Sequence, residues 1–102
     1  MSNSDPLLIG LGATIRELRF ERGRISQERL GLKTGVHRNY IGGIERGERE
    51  PTVKTIVTLA LALDIAPSRL FARAEREAER RGAPWPYAEV PVMQIARPSR
   101  RA

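Results

Sequence analysis

Arg38 and Asn39 stand side by side in the stretch 37–49 (HRNYIGGIERGER), and their side chains have a specific hydrogen-bonding chemistry. The forked guanidinium of Arg matches O6 and N7 of guanine, and the amide of Asn matches N6 and N7 of adenine, in the major groove of DNA. If a helix presents both outward, they can read base edges. The alternative for Arg38 is a solvated surface arginine.

Two short helices joined by a glycine turn would position this pair. Ser26 is a good N-cap for the first, whose buried residues are predicted to be Leu30 and Leu32, and Gly35 closes it. The second is predicted over about 38–45.

Two residues of the second helix are interpreted as structural. Tyr40 is predicted to pack with its hydroxyl in solvent, and a base contact is the alternative. Glu45 is predicted to bond Arg46, a basic residue of the preceding helix, or nearby backbone.

The spacing of small and apolar residues matches what a helix–turn–helix needs. Counted from Gln27, the fifth residue must be small where the helices cross, and it is Gly31; the ninth, in the turn, is Gly35. The tenth, fifteenth and eighteenth must be apolar, and they are Val36, Ile41 and Ile44. The sequence therefore predicts a helix–turn–helix unit at 26–46.

Three further helices are predicted around this unit. Apolar residues recur three and four apart in the first, which ends at Gly23: Leu8, Leu11, Ile15 and Leu18. Thr52 caps the fourth, whose apolar face is predicted to be Val53, Ile56, Val57, Leu59, Ala60 and Leu63. The fifth begins at Pro67 and runs to about Arg81, with the pairs Arg73–Glu77 and Glu77–Arg81 spaced for salt bridges.

The predicted fold class is all-α, a five-helix domain over 7–81 with an irregular tail over 82–102. The tail holds four of the seven prolines, which exclude a regular helix. Its apolar residues predict that part of it lies on a surface, either of its own domain or of a partner subunit.

Composition narrows the functional classes. The chain has 102 residues, no Cys and one His, and its carboxylates show no clustered spacing, so no metal, cofactor or catalytic constellation is predicted and an enzyme is the weakest option. It lacks a signal-like start and an apolar run of about 18–20 residues, so we expect a cytoplasmic protein without a membrane partner. The net charge of +6 favours a polyanionic partner, although the Arg excess has an alternative cause in genome base composition.

Residues 11–71 resemble the lambda-repressor-like, Cro/cI-type (XRE) helix–turn–helix family. That family carries S-Q-E-x-L-A, then G-V, then Y-I-S-x-I-E-R-G-x-x-x-P. This chain reads SQERLG at 26–31, GV at 35–36 and YIGGIERG at 40–47, followed by Pro51. It departs from the pattern at Gly31 for Ala, Gly42 for Ser and His37 for a Ser or Thr cap.

The resemblance implies how DNA would be bound. The third helix would lie in the major groove. The residues expected to face the bases are Arg38, Asn39, Gly42 and Gly43. Those expected to contact phosphates are Gln27, His37, Arg46, Arg49, Lys54 and Arg24.

The predicted function is a sequence-specific transcriptional regulator, a homodimer on a palindromic operator in double-stranded DNA. The predicted dimer interface comprises Phe71, Ala74, Ala78, Trp85 and Val90. No sensor domain fits in the remaining residues, so no small-molecule effector is expected. The run 37–49 also resembles the controller proteins of restriction–modification systems; a phage repressor or an antitoxin-type autorepressor would look similar. The alternative from another class is a protein-interaction module that does not bind DNA.

Overall fold

A computed structural model describes residues 5–82 of the chain. Within that part the chain forms helices and no strand, which confirms the all-α prediction. The helices are α1 (Pro6–Glu21), α2 (Gln27–Thr34), α3 (Arg38–Glu45), α4 (Val53–Ala62) and α5 (Pro67–Arg80). Almost all of the predicted tail, with Trp85 and Val90, lies outside the described residues.

The helix ends lie where the capping residues predicted them. The Ser26 hydroxyl accepts a hydrogen bond from the Arg29 amide at 3.0 Å, and Thr52 accepts one from Thr55 at 3.1 Å. Each satisfies an N–H that the first turn of a helix leaves without a partner. Gly35 ends α2 with a φ of 80°, a conformation that costs glycine little.

One core joins all five helices. Its fully buried large side chains include Leu11, Ile15, Leu18, Leu30, Ile41, Ile44, Leu59, Leu63 and Leu70. The predicted burial is wrong for two residues, since Leu32 is 81% exposed and Val53 is 77% exposed. Leu30 points inward from the two-turn helix α2, so Leu32, about 200° further round, points away. Val53 lies on the first turn of α4, at the margin of its buried stripe.

Helix α1 is the element on which α3 and α5 pack, and two of its glycines allow the close approach. A Cβ atom on Gly12 would collide with the Ile44 carbonyl of α3, and one on Gly10 would collide with the Ala74 carbonyl of α5. The backbone of α1 therefore touches both neighbours directly, which fixes α3 relative to the rest of the domain.

Salt bridges on α5 follow the predicted spacing only in part. Glu77 pairs with Arg81 at 2.8 Å, as predicted. The predicted Arg73–Glu77 pair is wrong, because Arg73 reaches across to α1 and bonds Glu17 at 3.2 Å and Glu21 at 3.0 Å. The hydrogen bond from Arg73 is the main cause that lowers the pKa of Glu21 below its ordinary value of 4.5.

Among the described helices, none is by itself long and apolar enough to cross a membrane. Taken together, α4 and α5 have the length and composition of a membrane span, but the two helices are bent by 97° relative to each other.

Candidate nucleic-acid interface

The inner side of α3 is held by apolar burial and by one ion pair. Ile41 and Ile44 are 0% and 1% exposed. Next to them, the Glu45 carboxylate accepts hydrogen bonds from Arg19 at 2.6 Å and 2.9 Å and from the Gln27 amide at 3.0 Å. Glu45 is structural, as its position predicted, but its arginine partner lies on α1 and is absent from the predicted partners.

The Arg19 guanidinium connects three elements at this point. Besides Glu45 on α3, it donates to the Ile25 carbonyl in the turn before α2, at 2.8 Å. Sequence spacing gave no signal for this pair, since 26 residues separate its members. The network fixes α2 and α3 relative to α1, as a helix–turn–helix requires.

The outer side of α3 begins with three exposed residues: His37, Arg38 and Asn39. His37 is the N-cap, and its Nδ1 accepts the Asn39 amide hydrogen at 3.0 Å. The Arg38 Nη1 lies 3.5 Å from a Glu28 carboxylate oxygen on α2, and both side chains are more than half exposed. Arg38 and Asn39 are thus available at the surface, where a base-contacting pair must be.

Gly42 and Gly43, which were predicted to face the bases, do not form an open surface. Both are buried: the Gln27 and Arg46 side chains lie beside Gly42, and the Arg49 side chain lies directly on Gly43. Long side chains thus cross α3 where it has no side chains of its own. The glycines are explained by this close packing within the domain.

The predicted phosphate-contacting arginines have partners on the same face. Arg46 donates to Glu48 at 3.1 Å. Arg49 stacks on the Tyr40 ring at 5.1 Å, and the Tyr40 hydroxyl donates to the Glu50 carbonyl at 3.3 Å. Tyr40 is therefore a partly buried packing residue that supports an arginine.

The other predicted phosphate contacts lie at the beginnings of two helices. Gln27 is the first residue of α2 and is half-buried, with its amide N–H committed to Glu45. Lys54 is exposed on the first turn of α4. Arg24 is exposed in the turn before α2, with a φ of 58°.

Arg24 belongs to a basic groove that the sequence analysis missed. The groove has a volume of about 650 Å³ and is lined by the cationic residues Arg22, Arg24, Arg29 and Lys33. Arg29 and Lys33 are four apart and share one face of α2, so their spacing was the available signal. Arg22 and Lys33 also donate to carbonyls at the end of α4. The groove adds positive charge at the side of α2.

The predicted dimer residues separate into two groups. Phe71 is 37% exposed and remains available. Ala74 and Ala78 are 0% exposed, which corrects the prediction that they lie in the dimer interface. Their small side chains allow α5 to pack against α1 within the subunit. Leu61 on α4, which was not predicted, is 63% exposed.

Within residues 5–82, no group of three or more His, Asp or Glu residues is placed to hold a metal ion.

Residues 15–70 match the family model described as helix-turn-helix. Among individual relatives, the chain is 36% identical over 71 residues to control protein C.BamHI of Bacillus amyloliquefaciens. That alignment covers 70% of this chain and 85% of the relative.

Solved structures of two controller proteins are among those that share both the fold and part of the sequence. The restriction-modification controller protein C.AhdI of Aeromonas hydrophila is 46% identical, with a TM-score of 0.59 over 62% of this chain and 90% of that one. Controller protein C.Esp1396I, solved as a tetramer with its natural 35 base-pair operator, is 32% identical to this chain. The TM-score is 0.64, and the alignment covers 72% of this chain and 95% of that one.

Proposed function

This chain belongs to the helix-turn-helix family, and on that premise we propose that it is a sequence-specific DNA-binding regulator of transcription, acting as a homodimer on a palindromic operator. The observation that carries the proposal is the two-sided construction of α3. Ile41, Ile44 and Glu45 hold its inner side in the domain, while Arg38 and Asn39 stand exposed at its N-terminal end. A recognition helix meets base edges with that end.

In the proposed complex, Arg38 binds guanine and Asn39 binds adenine through two hydrogen bonds each. Arg46 and Arg49 hold the phosphate backbone beside them, with contributions from His37, Lys54, Arg24 and the α2 N-terminus at Gln27. The buried state of Gly42 and Gly43 supports a short reading edge, because bases opposite them meet the arginines that cross the helix.

A short reading edge is the reason for proposing a dimer. One domain contacts few base pairs, and two half-sites about one helical turn apart double that number. Phe71 on α5 and Leu61 on α4 are exposed apolar side chains, and they support a contact between subunits through these two helices. Trp85 and Val90 remain predicted members of the interface.

Within the family, we propose the class of restriction–modification controller proteins. The support is that C.AhdI bears that description and C.BamHI is named a control protein, and that the alignments cover 90% and 85% of their respective lengths. We propose that the protein acts in the cytoplasm on its DNA, without enzymatic activity and without a small-molecule effector.

The experiment is selection of bound sites from a random DNA pool with the full chain, followed by sedimentation and by titrations at several salt concentrations. We expect a two-fold symmetric site, a dimer at micromolar concentration, and an affinity that falls by about threefold per phosphate contact between 50 and 200 mM salt. A monomer that enriches no sequence and shifts no duplex at low salt would contradict the proposal. A salt-insensitive protein complex instead would favour an interaction module.

A further inference from the structure

Arg49 follows α3 in the chain, and its side chain is held against the outer side of that helix along its whole length. Its backbone N–H donates to the Gly43 carbonyl at 3.2 Å, and its stem lies directly on Gly43, where an added Cβ would collide with it. Its guanidinium lies over the Tyr40 ring, 5.1 Å from the ring centre. Residues three apart on a helix are neighbours on its surface. Gly43 and Tyr40 therefore support the stem and the head of one arginine.

The Tyr40 ring is itself fixed in place. It packs against the core to which Ile41 and Ile44 belong, and its hydroxyl donates to the Glu50 carbonyl at 3.3 Å. That hydrogen bond joins the ring to the residue next to Arg49. A ring that is anchored in this way restricts the arginine above it more than a mobile ring would.

The contact with Tyr40 is of a kind that a phosphate does not have to replace. Arg38 and Arg46 each lie against a carboxylate, at 3.5 Å and 3.1 Å, and an incoming phosphate competes with that carboxylate for the same donors. The Tyr40 ring instead attracts the guanidinium through its π face, whereas phosphate is bound by N–H donors at the guanidinium edge. Arg49 can therefore bind a phosphate and keep its contact with the ring.

We propose that Tyr40 is a positioning residue that holds Arg49 in the conformation that binds a DNA phosphate; the inference rests on the proposed function. A free arginine side chain samples many rotamers, and only some of them place the guanidinium where the phosphate comes. The ring raises the fraction of protein in the binding conformation before DNA arrives, and the apparent affinity rises by the same factor. Because the ring contact persists in the complex, breaking it is not a cost of binding.

Two other roles for Tyr40 make different predictions. A residue that only packs would affect folding and would leave the DNA affinity of the folded protein unchanged. A hydroxyl that bound phosphate directly would act without Arg49 and would be lost in Tyr40→Phe. Positioning requires the ring and acts only through Arg49.

The test is a double-mutant cycle of Tyr40→Leu and Arg49→Ala, measured with the full chain on the selected operator duplex. Tyr40→Leu keeps an apolar side chain against the core and should weaken binding by about two- to fivefold, the strength of one exposed cation–π contact. In the Arg49→Ala background the same substitution should have no further effect. Tyr40→Phe retains the ring and should recover most of the affinity.

Two further measurements distinguish positioning from loss of the phosphate contact itself. Arg49→Ala removes that contact, so its log–log salt slope should be shallower by about 0.9, whereas the slope of Tyr40→Leu should stay closer to that of the wild type. In the free protein, the ring current of Tyr40 should shift the Arg49 side-chain protons upfield. NMR should show this shift retained in Tyr40→Phe and lost in Tyr40→Leu.

Ile65→Ala is the matched control for lost packing, because Ile65 is partly buried against the same core in the turn between α4 and α5. It should lower the melting temperature and leave the DNA affinity unchanged. Thermal melts of each variant show which of the compared proteins are folded.

An equal loss from Tyr40→Leu with and without Arg49, or a loss in Tyr40→Phe as large as in Tyr40→Leu, would overturn the inference and leave the proposed function intact. Arg49 protons without an upfield shift in the wild type would also overturn it, whichever variants fold. Absence of salt-dependent binding by the wild-type protein to any duplex would overturn both the inference and the proposed function.

Discussion

The two sides of α3 carry the same kind of ion pair, and the pairs differ in burial. On the inner side, Arg19 and Glu45 lie 2.6 Å apart with side chains 8% and 3% exposed. On the outer side, Arg38 and Glu28 lie 3.5 Å apart with side chains 58% and 66% exposed. Losing one member of a buried pair leaves a charge without solvation, whereas an exposed pair exchanges with water at little cost.

This difference separates the two tasks of the helix. The inner pair, with Ile41 and Ile44, determines where α3 lies. The outer residues determine what it contacts, because only side chains with weak internal partners can change partners when DNA arrives. The same residue types therefore serve architecture on one side and recognition on the other.

Breaking the inner pair is the strongest test of this comparison. Glu45→Gln should lower the free energy of unfolding by about 3–5 kcal/mol, because Arg19 is left buried without its counter-charge. Urea denaturation followed by circular dichroism measures the change. Replacing both members by apolar residues, Arg19→Met with Glu45→Leu, should recover most of the loss. A Glu45→Gln protein within about 1 kcal/mol of wild type would contradict the assignment.

Removing the outer arginine should affect binding and leave folding unchanged. Arg38→Ala is expected to cost about 1–3 kcal/mol on the cognate site and to flatten the preference at one base pair. Arg49→Ala should instead weaken binding to all sequences nearly equally, since a phosphate contact carries no sequence information. Titrations against single-base variants of the site separate the two. An unchanged base preference in Arg38→Ala means that α3 does not read DNA with this residue.

The two glycines between the inner and outer sides should respond differently to alanine. At Gly42 the nearest atom to a new Cβ is the Arg46 Nη1 at 3.1 Å, the mobile end of an exposed side chain. Gly42→Ala should therefore fold with about 0.5–1 kcal/mol more stability, the gain in helix propensity. At Gly43 the new Cβ would collide with Arg49 near the base of its side chain. Gly43→Ala should gain nothing and should weaken DNA binding through Arg49; equal melting temperatures for both variants would contradict this distinction.

The fold was largely predictable because its signals are local. Ser26 and Thr52 cap helices through their own first turns, and Gly35 ends α2 through its own φ angle. The errors in side-chain pairing came from contacts between helices. The Arg19 partner of Glu45 and the Glu21 partner of Arg73 depend on how α1 packs, which no spacing within one segment reveals.

The candidate site was predictable to the extent that exposure follows from helix periodicity. The outward position of Arg38 and Asn39 follows from the inward position of Ile41 and Ile44 on the same short helix. The burial of Gly42 and Gly43 does not, because the arginines that cover them come from beyond the end of the helix. Ala74 and Ala78 were similarly misassigned, since small residues suit a tight contact within a subunit as well as one between subunits.

The Arg73 pair with Glu21 lies between the two extremes of burial and should show the smallest effect. Its side chains are 27% and 47% exposed. Because Arg73 lowers the pKa of Glu21 in the folded protein below its ordinary value of 4.5, the folded state binds fewer protons than the unfolded state as pH falls. The stability from this pair is therefore fully present above pH 4.5 and is lost as pH falls through the folded pKa.

Arg73→Gln should accordingly lower the free energy of unfolding by less than about 1 kcal/mol at pH 7, and the difference from wild type should shrink below pH 4.5. Urea denaturation at pH 7, 5 and about 3 measures it. Lys54→Gln removes an exposed positive charge from the first turn of α4 and supplies the matched comparison, with a difference that changes less over the same range. A deficit in Arg73→Gln that persists undiminished at acid pH would show that Arg73 stabilises the α1–α5 contact through packing of its stem. Arg73 would then resemble the buried Arg19, which holds helices together, more than the exposed Arg38.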